Sequence, residues 1–336
     1  MRRWMIAGVV VIVITWAMTF FWMKSVQGDT VSKEDGVSEE DTVSGEDAVS
    51  GKDVVAAVSH RVLLERNGIR TYMLLEDYLP GVIACQVDPG YSPDVLKCQA
   101  VIARTYVERL MDGRSEIHEE ELDLDYLEQQ SGAYDAGGKS AEENRERLAA
   151  GLERCRQAVA ETKGCVLQYE QRCILPMFHA MNNGRTRTAG EAYPYLKSVE
   201  SSWDRAREDG LTQKNFEKQD FAARISRIAD TEPVAEDQLG SQIQTVQKDD
   251  AGYVVQMKIG SRTYTGEEIQ YALELPSACF VLEETGDGMT ASVRGSGHGY
   301  GLSQAGAEGM AQEGWGYEEI LQHYYTGIKL KKSDED

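Results

Sequence analysis

Several common signals are absent from this 336-residue chain. It holds six cysteines, but no CxxC occurs and their spacing fits no common zinc motif. Small apolar cysteines in a core are the plain reading. A Cys165–Cys173 bridge stays open if those residues face each other on paired strands. Cys85 carries no local cysteine-protease signature, and Ser303 lacks the GxSxG elbow of a serine hydrolase. The glycine-rich stretch near the C-terminus lacks the Lys-Ser/Thr of a Walker loop, which argues against a phosphate cradle. Positive charge is scarce: 35 Lys and Arg face 56 Asp and Glu, for a net charge of −21. That balance argues against nucleic acid as a partner.

Apolar residues make up 41% of the chain, enough for a substantial core. Trp4 to Met23 is a twenty-residue run without a charge, preceded by Arg2 and Arg3. It is long enough to cross a bilayer, and no small-x-small cleavage site follows it. The expectation is an uncleaved anchor over 4–23, with a cytoplasmic N-terminus and the main domain on the extracytoplasmic side. A disordered acidic tether is expected over 27–57. Nine acids and two lysines lie between Gly28 and Ala57, and Val-Ser recurs every six residues from Val31 to Val49.

Asn67-Gly68 between two apolar runs predicts a hairpin. A helix is expected from about Glu76 to a bend at Asp88-Pro89-Gly90. A second should start at Ser92-Pro93-Asp94, an N-cap, a first-turn proline and an acid in sequence, and end near Gly113. Residues 113–155 read as an acidic insertion with a helix from about Ser140. Strands are expected over Val166–Tyr169 and Cys173–Phe178. Arg205 to Leu239 reads as variable and partly helical. Another hairpin spans Tyr253 to Tyr264, followed by a helix capped by Thr265 and Glu268. Phe280–Glu283 and Met289–Val293 read as strands, and helices follow to Tyr325.

Two blocks resemble the stage II sporulation protein D family (SpoIID/LytB). The first is LEDYLPGVIACQVDPGYSPDVLKCQAVIARTY, Leu75 to Tyr106, ungapped against the family signature. The second is GSGHGYGLSQAGA, Gly295 to Ala307, with GMAQEGWGYEEILQHYYTG after it. Between them, FHAMNNGRT and PYLKSVESSWD resemble further family motifs, the former departing at Asn182 and Asn183. The resemblance implies a wall-glycan lytic transglycosylase or an assistant of wall hydrolases. It places the family's catalytic glutamate on Gln86.

The expected fold class is thus α+β: a helical signature segment with hairpins and small sheets around a glycan cleft, after a transmembrane helix and a tether. One domain over 60–331 carries the insertion 113–155. A transglycosylase needs one carboxyl as acid and then base, and an amide at Gln86 cannot deliver a proton. Three readings stay open: a glycan-strand binding and remodelling protein with impaired catalysis, an active enzyme using another acid such as Asp88, and a non-catalytic amidase enhancer. By resemblance, candidate sugar contacts are Lys97, Gln99, Arg104, His179, Tyr195, His298, Ser303 and Gln304. Lys97 and Arg104 could equally pair with acids, and the two histidines could be structural. The implied partners are peptidoglycan glycan strands, stripped of stem peptides, and a sporulation wall amidase. No cofactor is expected. The zinc cluster of some relatives is not carried over, because that region holds only His118 and Cys155.

Overall fold

The computed structural model describes residues 60–126, 141–205, 207–228, 239–286 and 288–332. Strands Arg61–Arg66 and Ile69–Leu74 form the expected hairpin, pairing from Arg61↔Leu74 to Arg66↔Ile69. Its turn residues have positive φ, 54° at Asn67 and 77° at Gly68, a conformation Asn and Gly tolerate best. Glu116–His118 adds a parallel third strand beside the first.

Helix Leu75–Gln86 follows the hairpin without a gap, and helix Pro93–Met111 follows the bend. Both bury broad apolar faces in one core, which includes Tyr78, Leu79, Val82, Leu96, Val101 and Ile102. Ser92 takes the N-cap position, but its hydroxyl does not cap the helix. It donates instead to Glu308, as does its backbone N–H, at 3.0 and 2.7 Å. Helix Ala141–Glu161 packs against both signature helices. Thr105 Oγ1 donates to the Val101 carbonyl and accepts from Leu167 N, which locks strand Cys165–Tyr169 onto the second helix. Arg172–Cys173 and Lys329–Lys332 flank that strand. Cys165 and Cys173 are not opposite each other, and both thiols are free. The expected second strand to Phe178 is two short pieces, Arg172–Cys173 and Phe178–His179.

A second core lies between Phe216 and Val293, and includes Phe221, Tyr253, Ile269, Phe280 and Met289. It is made of two three-stranded antiparallel sheets with helices Lys218–Arg227 and Gly266–Leu273 packed on them. One sheet joins Leu211–Glu217, Gly288–Arg294 and Phe280–Thr285; the other joins Ile243–Lys248, Val254–Ile259 and Arg262–Tyr264. The Thr265–Glu268 capping box is present. Within the 205–239 stretch read as variable and partly helical, Lys218–Arg227 is helix and Leu211–Glu217 is strand. Phe216 is the one buried side chain in that strand.

Among the described residues no helix is long and apolar enough to cross a membrane. The longest, Ala141–Glu161, is studded with Glu and Arg, which a bilayer core disfavours. This corrects the expected single-pass membrane placement. The Trp4–Met23 run and the 27–57 tether lie outside the described residues, as does part of the 113–155 insertion.

Arg187 joins the two cores. It is only 5% exposed, belongs to the first lobe's loops, and reaches Asp249 and Glu267 of the second at 2.6 and 2.7 Å. Its guanidinium sits 4.6 Å from the ring centroids of both Tyr253 and Tyr300. Removing one member of such a buried ionic group strands the others, at a typical cost of about 3–5 kcal/mol. Arg187→Met should therefore lower stability by about that much in urea unfolding. Arg61→Ala, which breaks an exposed pair with Glu116, should be near neutral. Equal effects from the two would contradict the linking role.

Candidate functional site

Gln86 is the last residue of helix Leu75–Gln86 and is 4% exposed. Its Oε1 accepts from Gln99 Nε2 at 2.8 Å, and its carbonyl accepts from Gln304 Nε2 at 2.7 Å. Gln304 Nε2 also reaches Gln99 Oε1 at 3.3 Å. Three glutamines from three helices thus form one buried amide seam. Gln86 Nε2 has no protein partner among the described residues, yet it is not sealed from solvent like the orphaned buried atoms described below. It is the seam's available donor.

The nearby acids are committed elsewhere. Asp88 is exposed, and its Oδ1 accepts from Gly90 N at 2.8 Å in a tight turn. Asp94 Oδ1 accepts from Tyr317 N, and Glu308 holds Ser92. Lys97 pairs with Glu161 at 2.7 Å. Arg104 is 1% exposed, grips Glu76 at 2.7 and 2.8 Å, and donates to the carbonyls of Cys165 and Val159. Tyr195 Oη accepts from Leu175 N. These three side chains hold elements together, and Arg104 shares no partner with the histidines.

The histidines do meet, with ring centroids 5.7 Å apart. Strand Phe178–His179 runs parallel to Leu302–Ser303, which brings the Gly295–Gly301 loop alongside. That loop needs glycine: φ is 82° at Gly299 and 67° at Gly301. A Cβ at Gly299 would lie 2.5 Å from the Tyr253 ring, and one at Gly301 would overlap the Met177 carbonyl. His179 Nδ1 donates to the Tyr300 carbonyl at 3.1 Å and its Nε2 accepts from Asn182 Nδ2 at 3.2 Å. His298 Nδ1 accepts from Tyr300 N, so Nε2 carries the proton. His298 Nε2 and Tyr253 Oη are buried without a hydrogen-bond partner. Burial pushes His179 down to about 4; His298 falls too, through burial and then the nearby His179 and Arg187. Both rings are therefore neutral at pH 7 and cannot act as acids there.

Sequence reading missed Asp204, which appears there only as a motif letter. It is 2% exposed and accepts from Ser303 Oγ at 2.7 Å, from Asn182 N at 3.3 Å and from Ser201 Oγ. Ser201 Oγ also bonds Tyr324 Oη. Burial raises Asp204 to about 6, against the pull of those three donors. It props up Ser303, the N-cap of helix Gln304–Gln312, and so positions Gln304. Arg187 was missed as well; nothing in a lone arginine between threonines signals burial. Among the described residues no group of three or more His, Cys, Asp or Glu is placed to hold a metal ion.

With this geometry in hand, comparison with known proteins gives the family. The family model described as "Stage II sporulation protein" matches residues 65–169. Stage II sporulation protein D of Bacillus amyloliquefaciens is 29% identical over 316 residues, covering 93% of this chain and 90% of that protein. Stage II sporulation protein D of Bacillus subtilis (strain 168) is 32% identical over 266 residues, covering 77% and 75%. The amidase enhancer of Bacillus subtilis (strain 168) is 25% identical over 303 residues, covering 75% of this chain and 40% of the enhancer. The chain belongs to the stage II sporulation protein D family, and so to the sporulation-associated proteins related to the cell wall.

A carboxyl whose folded pKa is raised favours folding fully below its unfolded value, near 3.9, and that contribution is lost as pH rises through about 6. Wild type should therefore lose stability relative to Asp204→Asn between pH 4 and pH 7, by up to about 3 kcal/mol. Urea midpoints at both pH values check this. A pH-independent gap would contradict the raised pKa.

Proposed function

We propose that this chain binds peptidoglycan glycan strands at a site that includes Gln86, and that at this position it has lost the acid that cleaves them. The observation that carries the reading is the amide seam. Gln99 fixes Gln86 Oε1, which leaves Gln86 Nε2 as a donor of the seam with no protein partner among the described residues. An amide N–H there can bond a glycosidic oxygen, which supports binding. It has no usable acid pKa, so the leaving oxygen receives no proton. Among the described residues Asp88 is tied into a turn, the histidines are neutral, and Asp204 accepts from Ser201, Ser303 and Asn182. The similarity to a protein named amidase enhancer supports a second reading, a silent strand-binding subunit beside a wall amidase.

The same seam is ready for a carboxylate, because Gln99 Nε2 already faces Oε1. Gln86→Glu should release anhydro-ended sugars from denuded glycan strands at least about 10²-fold faster than wild type, the lower end of general acid–base contributions. Asp88→Asn should leave the wild-type rate unchanged. Robust wild-type turnover that survives Asp88→Asn, with no gain from Gln86→Glu, would sink the lost-acid reading.

A further inference from the structure

A glutamine side chain ends in one acceptor oxygen and one donor nitrogen, so each amide of the seam has a sense. One backbone group fixes all three. The Gln86 carbonyl can only accept, so the Gln304 atom 2.7 Å from it is Nε2. The same nitrogen lies 3.3 Å from Gln99, which therefore turns Oε1 toward it. Gln99 is left with Nε2 for Gln86, and donates it to Oε1 at 2.8 Å. Gln86 Nε2 is then the end that faces away from the seam.

Two atoms of the seam have no protein partner among the described residues: Gln86 Nε2, a donor, and Gln304 Oε1, an acceptor. Both residues are 4% exposed. Neither atom is sealed in the way that Tyr253 Oη and His298 Nε2 are. If the seam ran in the opposite sense, Gln86 would present Oε1 instead. A glycosidic oxygen only accepts, so it bonds the first arrangement and is repelled by the second. The sense of the seam decides whether such an oxygen is held.

Gln304 is fixed firmly enough to set that sense. It opens helix Gln304–Gln312, whose N-cap Ser303 accepts from Gly306 N at 3.2 Å and donates to Asp204 Oδ1 at 2.7 Å. Ala305 N donates to the Ala180 carbonyl at 3.0 Å. A Cβ at Gly306 would overlap Tyr324 Oη and Ser201 Oγ, so the first turn packs directly on them. The carbonyl that Gln304 serves closes helix Leu75–Gln86 and has no acceptor role inside that helix. Turning the Gln304 amide over would set two oxygens against each other and leave this carbonyl unpaired.

We propose that Gln304 is the positioning residue of the glycan site: its bond to the Gln86 carbonyl sets the sense of the amide seam and keeps Gln86 Nε2, not Oε1, toward the strand. This rests on the glycan-binding reading above and adds what makes that site select an acceptor oxygen.

The test titrates the full chain with denuded glycan strands by calorimetry, as wild type, Gln304→Met, Gln86→Met and the double variant. Methionine keeps the length of the side chain and removes the amide. Gln304→Met should weaken binding about tenfold in the wild-type background, and less than about twofold in the Gln86→Met background. A merely structural role would give the same loss in both and overturn the proposal. Gln304→Glu cannot donate to the carbonyl and draws the Gln99 donor to itself; it should weaken binding at least as much as Gln304→Met. Circular dichroism and urea midpoints check the fold of each variant. The wild-type chain gives a readout that needs no folded variant at position 304. Bound strand should shift the side-chain amide resonances of Gln86, and resonances that stay unmoved overturn the proposal. Wild type that binds no strand overturns both this proposal and the glycan-binding reading. Wild type that binds, with folded Gln304→Met and Gln304→Glu equal to it, overturns the positioning role and leaves that reading standing.

Discussion

The arrangement of the site hangs on one buried guanidinium. Arg187 reaches across from the first core to Asp249 and Glu267 of the second, and it lies between the Tyr253 and Tyr300 rings. Its backbone N–H donates to the Gly299 carbonyl at 2.8 Å, and its Nη1 reaches the His298 carbonyl. The same residue thus joins the lobes and anchors the glycine-rich loop. The loop then runs into Leu302–Ser303, which pairs with Phe178–His179 and delivers Gln304 to Gln86. Burying an arginine is costly, and the charges, carbonyl and aromatic faces around it offset that cost only together.

The chemistry open to these buried groups follows from which of their polar atoms are satisfied. Each imidazole is fixed as a neutral tautomer by its own backbone contact with Tyr300. Asp204 keeps a protonation equilibrium near pH 6, but its oxygens serve Ser201, Ser303 and Asn182. The amide seam leaves Gln86 Nε2 and Gln304 Oε1 without protein partners among the described residues. The proposed function rests on this pattern: on that reading the site would hydrogen-bond a sugar without passing a proton to its leaving oxygen.

Much of the backbone was legible because local chemistry decided it. Asn67-Gly68 made a hairpin, Thr265 and Glu268 made a capping box, and Ser92-Pro93 began a helix. Strand Leu211–Glu217 was not legible, since Phe216 is its only buried residue and pairing with Gly288–Arg294 places it. Part of the site was equally legible: resemblance singled out Gln86, Gln99 and Gln304, which meet, and His179 and His298, which pack together. Motif membership did not separate these from Lys97, Arg104 and Tyr195, whose partners are Glu161, Glu76 and the Leu175 backbone. Asp204 and Arg187 were invisible for a related reason: a charged letter in a sequence says nothing of its burial until a second core closes over it.

The most direct measurement is a crystal structure of the chain with a denuded tetrasaccharide of the glycan strand. The account expects a sugar oxygen at the cleavage position within hydrogen-bond reach, about 3 Å, of Gln86 Nε2, with the Gln86–Gln99–Gln304 seam unchanged and no carboxyl at that oxygen. A bound strand that leaves Gln86 Nε2 to water, or that presents its scissile oxygen to an acidic side chain, would contradict it.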